Sequence, residues 1–234
     1  MAKLKFGAIV SDVRGSIDSV TYSRSRYGAY ARKKVTPVNP NTSLQSTARA
    51  IFGAASSKFR SLGKATIDAW NAVAPEYTRS NVFGDNLPLS GQTLFTKLKS
   101  TLVNAGITSD PSPINPVTVP AVVAGAITAD VSTGTIVIAG VGATTADDVL
   151  VVSATAPVSA GRTFFGRSQF RNITTKNAST AAGDLDITAA YEDVFGDILT
   201  TPFVGQKLQV SITRVMIANG QSGVAFKQDC IIQA

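Results

Sequence analysis

The thirteen residues TSDPSPINPVTVP, positions 108–120, hold four prolines, and no other stretch constrains the fold as strongly. Proline fixes φ and lacks an N–H, so this segment cannot lie inside a helix or a central strand. It tends instead to an extended, semi-rigid form. The chain is expected to divide there, into a unit at 1–107, a linker at 108–120 and a second unit at 121–234. With 234 residues in all, each half is long enough to bury a core of its own. Charge divides at the same place. Residues 1–116 carry fifteen Lys/Arg and six Asp/Glu, whereas residues 117–234 carry seven and nine, so the first half is the one that should meet something acidic.

The first unit opens with strand-like alternation. Leu4, Phe6, Ala8 and Val10 share one face of an extended chain, Arg14-Gly15-Ser16 marks a turn, and Ile17, Val20, Tyr22, Tyr27, Tyr30 and Val35 follow. The expectation is a β-ribbon arm of two or three strands. An arm of this size cannot bury enough apolar area alone, so it must lie against the helices or against another subunit. The corner PVNPNTSLQ at 37–45 ends it. Pro37 and Pro40 forbid helix there, and Thr42 with Gln45 fits a capping box for the helix that follows. Leu44, Ala48, Ile51, Phe52, Ala55, Phe59 and Leu62 then recur on one helical face, and Gly63 breaks the pattern. A second helix over 64–74, presenting Ile67, Trp70 and Val73, stops at Pro75. A third, over 91–105, presents Leu94, Phe95, Leu98, Leu102 and Val103. The expected unit is α+β, a basic ribbon with three helices.

Beyond the linker the period changes to two. Seven apolar alternating runs, AITADV, TIVIAG, DVLVVSAT, RTFFGRSQF, DLDITAAY, KLQVSITRVMI and GVAFKQDCIIQA, are separated by small polar turns. This pattern predicts an all-β immunoglobulin- or fibronectin-like sandwich. The Cys…Trp…Cys signature of antibody domains is missing, which favours the fibronectin type III variety. A short helical turn fits Ala189–Phe195.

Composition narrows the chemistry. The chain has no histidine, which removes His-based acid–base catalysis, Ser–His and Cys–His nucleophiles and most transition-metal sites. Its single cysteine, Cys230, sits in an apolar run and reads as a core residue. Asp147, Asp148, Asp184, Asp186, Glu192, Asp193 and Asp197 match no EF-hand spacing and read as solvated loop carboxylates. No phosphate-cradling glycine motif stands in a strand-to-helix context. No catalytic residue, cofactor, metal or small-molecule substrate is therefore expected. No run is long enough to span a membrane, and the opening apolar stretch Phe6–Val10 is too short for a secretory signal, so the chain is expected to fold in the cytoplasm of the cell that makes it.

The feature that invites a partner is the run SRSRYGAYARKK at 23–34. Arg24, Arg26, Arg32, Lys33 and Lys34, interleaved with Tyr22, Tyr27 and Tyr30, could pair with phosphates while the rings stack on bases. The plainer reading is an alternating strand with its tyrosines packed inward. Its charges would then be solvated or bonded to a neighbouring subunit's carboxylates. On that reading Arg24, Arg26, Tyr27, Tyr30, Arg32, Lys33 and Lys34 form an anchoring arm.

A series of motifs runs through residues 24–106. They are G-x-Y-x-R (Gly28, Tyr30, Arg32), P-x-N-P-x-T-x-x-Q (Pro37, Asn39, Pro40, Thr42, Gln45) and R-x-x-F (Arg49, Phe52). F-R-x-L (Phe59, Arg60, Leu62), A-W-N (Ala69–Asn71), F-G (Phe83, Gly84) and L-S-G-x-x-L-F (Leu89–Phe95) follow. In this order they resemble a group of mostly uncharacterised tailed-bacteriophage proteins encoded among virion genes, some of which end in a fibronectin-like domain. The run VSAGRTFFGRSQFR at 158–171 is similar to such a C-terminal module. Phe59 stands where the pattern has tryptophan, and Gly63 where it has a helix-capping threonine. The resemblance implies a non-enzymatic structural part of a virion, present in many copies as a homo-oligomer or symmetric array. Its partners would be other virion proteins of the capsid or connector. A decoration or minor capsid protein is the leading expectation, with a neck or tail part or an adhesin next. A nucleic-acid-binding protein using residues 14–34 and 49–64 is the reading from another class, and an enzyme cutting host-surface polysaccharide is a third.

Overall fold

The computed structural model describes residues 2–25, 28–78, 80–81, 83–196 and 201–234. The described residues form two sheets with eleven strands and four α-helices, a mixed α+β architecture.

The arm is a sheet of four strands rather than two or three: β1 (Ala2–Leu4), β2 (Gly15–Ile17), β3 (Val20–Ser25) and β4 (Gly28–Lys33). They lie in the order β1-β4-β3-β2, every pair antiparallel. Phe6, Ala8 and Val10 were expected to extend the first strand but lie outside it. Leu4 pairs with Ala29 and β4 begins at Gly28, so a longer β1 would run out of partner.

The three expected helices are present as α1 (Ser43–Ser61), α2 (Lys64–Val73) and α3 (Gly91–Asn104). Thr42 caps α1, its hydroxyl accepting from the Gln45 N–H at 3.4 Å. Among the described residues this is the one half of the expected capping box that forms. Ser90 caps α3 in the same way through the Thr93 N–H. Phe59, Trp70, Ala74, Leu89, Leu94, Phe95 and Leu98 make the helical core. Phe95 lies at its centre, with its ring centroid 5.5 Å from Phe59 and 5.4 Å, edge-on, from Trp70. The A-W-N and L-S-G motifs meet here. Asn71 Oδ1 accepts from the Gly91 N–H at 3.2 Å, and a Cβ at Gly91 would stand 2.6 Å from that oxygen. These motif residues are therefore accounted for by packing. One expectation fails: of the apolar stripe on α1 only Ala55 and Phe59 are buried, and residues 43–50 are exposed throughout.

The second unit is one seven-stranded sheet curled over a single core. Its strands are β5 (Ile127–Asp130), β6 (Thr135–Val141), β7 (Asp148–Ala154), β8 (Arg171–Lys176), β9 (Gly183–Asp186), β10 (Lys207–Met216) and β11 (Phe226–Gln233). The order is β8-β7-β10-β11-β5-β6-β9, antiparallel except where β11 meets β5. Ile136 and Ile138 of β6 share a core with Leu150 and Val152 of β7, Val210 and Ile212 of β10, and Ile232 of β11. Helix α4 (Thr188–Phe195) packs onto the same core. Its Tyr191 is fully buried, and the hydroxyl donates to the Thr155 carbonyl at 2.7 Å. The run RTFFGRSQF, expected to be a strand, is a loop with one 3-10 turn at Arg167–Gln169, and the strand is the next segment, RNITTK. Phe165 is buried while Phe164 is exposed, so the apolar residues here fill a loop without pairing.

The two units are joined by more than connecting chain. Leu102 and Ala105 at the end of α3 pack on Val149 and Val151 of β7 and Val215 of β10, covering the outer face of strands whose other face lines the core. Gly220 (φ +72°) comes so close that a Cβ would stand 2.5 Å from the Leu98 carbonyl oxygen. Residues 108–120, without regular structure, are tied to both units. Lys99 donates to the Thr108 and Ser109 carbonyls, and Lys58 and Lys99 pair with Asp110. Ser112 N–H donates to Ala218 O and Val117 N–H to Gln221 Oε1. Gln221 Nε2 in turn donates to the Tyr77 hydroxyl, which donates to Ile114 O.

Candidate partner-binding surface

Strand register sorts the arm into two unlike faces. Successive side chains alternate, and residues paired across antiparallel strands share a face. Val20, Tyr22 and Arg24 pair with Lys33, Ala31 and Ala29 respectively. Ile17 opposite Val20 and Leu4 opposite Ala29 extend the same face. The other face holds Thr21, Ser23, Tyr30 and Arg32. One face is thus apolar with Arg24 and Lys33 on it, and the other is polar.

This corrects the idea of one row of tyrosines, whether packed inward or stacked on bases. Tyr22 and Tyr30 lie on opposite faces, as do Arg24 and Arg32. Lys33 shares the face of Arg24, and exposed Lys34 follows the strand with its N–H donating to Ser19 O at 2.7 Å. Arg26 and Tyr27, also expected in the anchoring arm, lie outside the described residues.

Both faces are partly open, with Val20, Tyr22, Tyr30 and Ala31 half-buried. Ala29 is the one buried arm residue among those described, while Ile17 is 69 % exposed and Val38, just beyond the arm, 89 %. Among the described residues the arm meets the loop before α3 at Lys5, whose Nζ lies 3.1 Å from Asp85 and 5.2 Å from the centroid of the Phe83 ring. Hydrogen bonding from Asn81, and then from Lys5, holds the Asp85 carboxyl below the ordinary carboxylate range. Arg24, Arg32, Lys33 and Lys34 make no ion pair with any described residue.

The uncovered region continues into α1. Leu44 and Phe52 are each 63 % exposed, and the first two turns of the helix overhang the core by about 12 Å. A groove of about 570 Å³, lined by Ala50, Ile51, Ala54 and Val103 with Lys58, Lys99 and Asp110, lies against this part of the helix. Leu44, Ala48 and Phe52, expected on the buried stripe of α1, are surface residues. The signal available was the stripe itself, which ran longer than the 14-residue α3 can cover.

Three of the carboxylates, Asp148, Asp184 and Asp186, have structural roles. Asp148 is buried, pairs with Arg214 and accepts from the Thr145 N–H and hydroxyl. Asp186, at the end of β9, accepts from the Thr188 hydroxyl and N–H at the start of α4, which holds its carboxyl below the usual range. Asp184 accepts from the Gly140 N–H. Asp147, Glu192 and Asp193 make no ion pair among the described residues, and Asp197 lies outside them. Burial pushes the Cys230 thiol up to about 11, so it stays protonated at neutral pH. Among the described residues no three metal-ligating side chains converge, and no helix is long and apolar enough to cross a membrane. Comparison with known proteins finds no matching family model, no similar curated protein and no matching solved structure.

Proposed function

We propose that this chain is a non-enzymatic structural component of a bacteriophage virion, present in many copies and attached to the capsid through its N-terminal unit. The observation that carries this reading is the single-layer arm sheet. Its apolar face and its cations Arg24, Arg32, Lys33 and Lys34 find no partner within the described chain. A sheet of this size needs a second layer for stability, and a neighbouring virion protein supplies one. The motif resemblance across residues 24–106 gives the setting.

We read the curled sheet as fibronectin type III-like. Taking β5 to β11 in chain order as A, B, C, C′, E, F and G, one side becomes A-B-E and the other C′-C-F-G, with A against G closing the seam. Such a domain presents its free loops outward and serves as decoration or as a surface adhesin. Attachment at the neck or tail differs from attachment at the shell in copy number. Quantitative mass spectrometry and electron microscopy of purified particles test all of this. Hundreds of copies are expected for a capsid protein and tens for a neck or tail part. Absence from particles overturns the proposal.

The same unmatched cations favour nucleic-acid binding as the competing reading. Retention on DNA that falls by about one log unit per phosphate contact for each decade of salt would carry it. The separation of Tyr22 from Tyr30 onto opposite faces leaves no continuous stacking row for bases.

A further inference from the structure

Two surfaces of this chain are opposite in charge, and Arg24 and Lys33 on one and Asp184, Asp186, Glu192 and Asp193 on the other form no ion pair among the described residues. The first is the apolar arm face, Ile17, Val20 and Tyr22 with Arg24 and Lys33. Residues 1–35 hold eight Lys/Arg and two Asp. The second is the far edge of the curled sheet, where β9 is a free edge strand and α4 follows it. Residues 177–206 contain no lysine or arginine and five acidic residues. Asp184, Asp186, Glu192 and Asp193 make no ion pair among the described residues, and Asp184 and Asp186 use only Oδ1 in their hydrogen bonds. Val194, 40 % exposed, supplies an apolar side chain next to Asp193. No hydrogen bond or ion pair among the described residues joins the two surfaces within one chain.

We propose that the arm sheet of one copy docks on the β9–α4 rim of a second copy. Charge selects this pairing. An arm-to-arm contact would bring two strongly basic surfaces together, and a rim-to-rim contact two acidic ones, each at a cost in like-charge repulsion. The arm-to-rim contact pairs Arg24 and Lys33 with unmatched carboxylates and covers the arm's apolar face. It is heterologous, so a pair of copies still has one free arm and one free rim, and the contact propagates into a ring or an open array. The inference rests on the multi-copy part of the function proposed above. Its test uses the purified chain alone, so its failure leaves the particle experiment to decide the virion reading.

Sedimentation velocity tests it across the micromolar range. Wild-type chain is expected to associate at about 0.05 M ionic strength and to dissociate toward monomer by about 0.5 M. Arm reversal (Arg24→Glu with Lys33→Glu) and rim reversal (Glu192→Lys with Asp193→Lys) should each weaken association about 100-fold or more. Mixing the two variants should restore it, because each then meets the opposite charge. Unchanged circular dichroism of both variants, together with rescue on mixing, separates lost docking from lost folding. A wild-type chain that stays monomeric at low salt overturns the inference. So does association that is indifferent to rim reversal, or a mixture that fails to assemble.

Discussion

Strand β7 and the arm strands β3 and β4 each have a hydrogen-bonded neighbour on both sides, yet they differ in what lies above and below them. In β7, Leu150 and Val152 face the sheet's own core while Val149 and Val151 lie under Leu102 and Ala105 of α3. In the arm, Val20, Tyr22, Ala29 and Ala31 share a face on which only Ala29 is buried and the other three are half-buried. Backbone pairing contributes to both, at about 1 kcal/mol net per bond. Burial is what separates a strand that anchors a fold from one that awaits a partner.

The sharpest test of the contrast compares one core ring with one arm ring. Trp70→Ala should cost about 3–5 kcal/mol in urea denaturation, since the indole is buried against Phe95. Tyr22→Ser should cost less than about 0.5 kcal/mol in the isolated chain. Comparable losses would mean that the arm is part of the cooperative core. Asp148→Ala should cost about 3 kcal/mol, because it strands Arg214 in the interior with its Nε already unpartnered. A combined Asp148→Leu and Arg214→Met variant should recover most of that loss.

Smaller effects are expected where the two units meet. Gly220→Ala should cost about 2 kcal/mol, since it puts a side chain at φ +72° against the Leu98 carbonyl. Tyr77→Phe should cost about 1 kcal/mol and speed amide exchange at Val117, whose N–H relies on the Gln221 side chain that Tyr77 holds. The least expected effect is a response to acid at Asp110. Partial burial works to raise its carboxyl, but hydrogen bonds and charge from Lys99 and Lys58 outweigh this and hold it below the usual range. Its contribution is therefore present above the ordinary carboxylate pKa of about 4 and is lost as pH falls through the lower folded value. Exchange protection of residues 108–120 should decline in that acid window, and only modestly, because the carboxylate is 38 % exposed.

Local chemistry was legible in the sequence wherever one residue decides the outcome. Thr42 caps α1, α2 gives way at Ala74 before Pro75, and the apolar faces that hold Trp70 and Phe95 form the helical core. DVLVVSAT was legible as a strand, but reading it as an alternating run left out that both of its faces are covered. RTFFGRSQF misled because its apolar residues serve a loop, whereas RNITTK, with little apolar character, sits at the sheet's free edge where no core requires it. The arm posed a different difficulty. Periodicity identifies the face that could be buried and is silent on whether anything buries it. For the site, the parity of Tyr22 and Tyr30 depends on the β3–β4 turn, and the spacing between them gave no register until the pairing was known.

The meeting of β11 with β5 also sets an order of events during synthesis. β11 lies in the middle of the sheet, between β10 and β5, yet it is made after the six other strands of that sheet. Until residue 233 has left the ribosome, the chain can offer only two separate three-stranded pieces, β8-β7-β10 and β5-β6-β9, each with the edge that β11 will fill left open. The helical core needs nothing beyond residue 98 and can form much earlier. A message cut short before Phe226 should therefore yield a folded helical head on a tail with two exposed strand edges, a product suited to aggregation and early proteolysis.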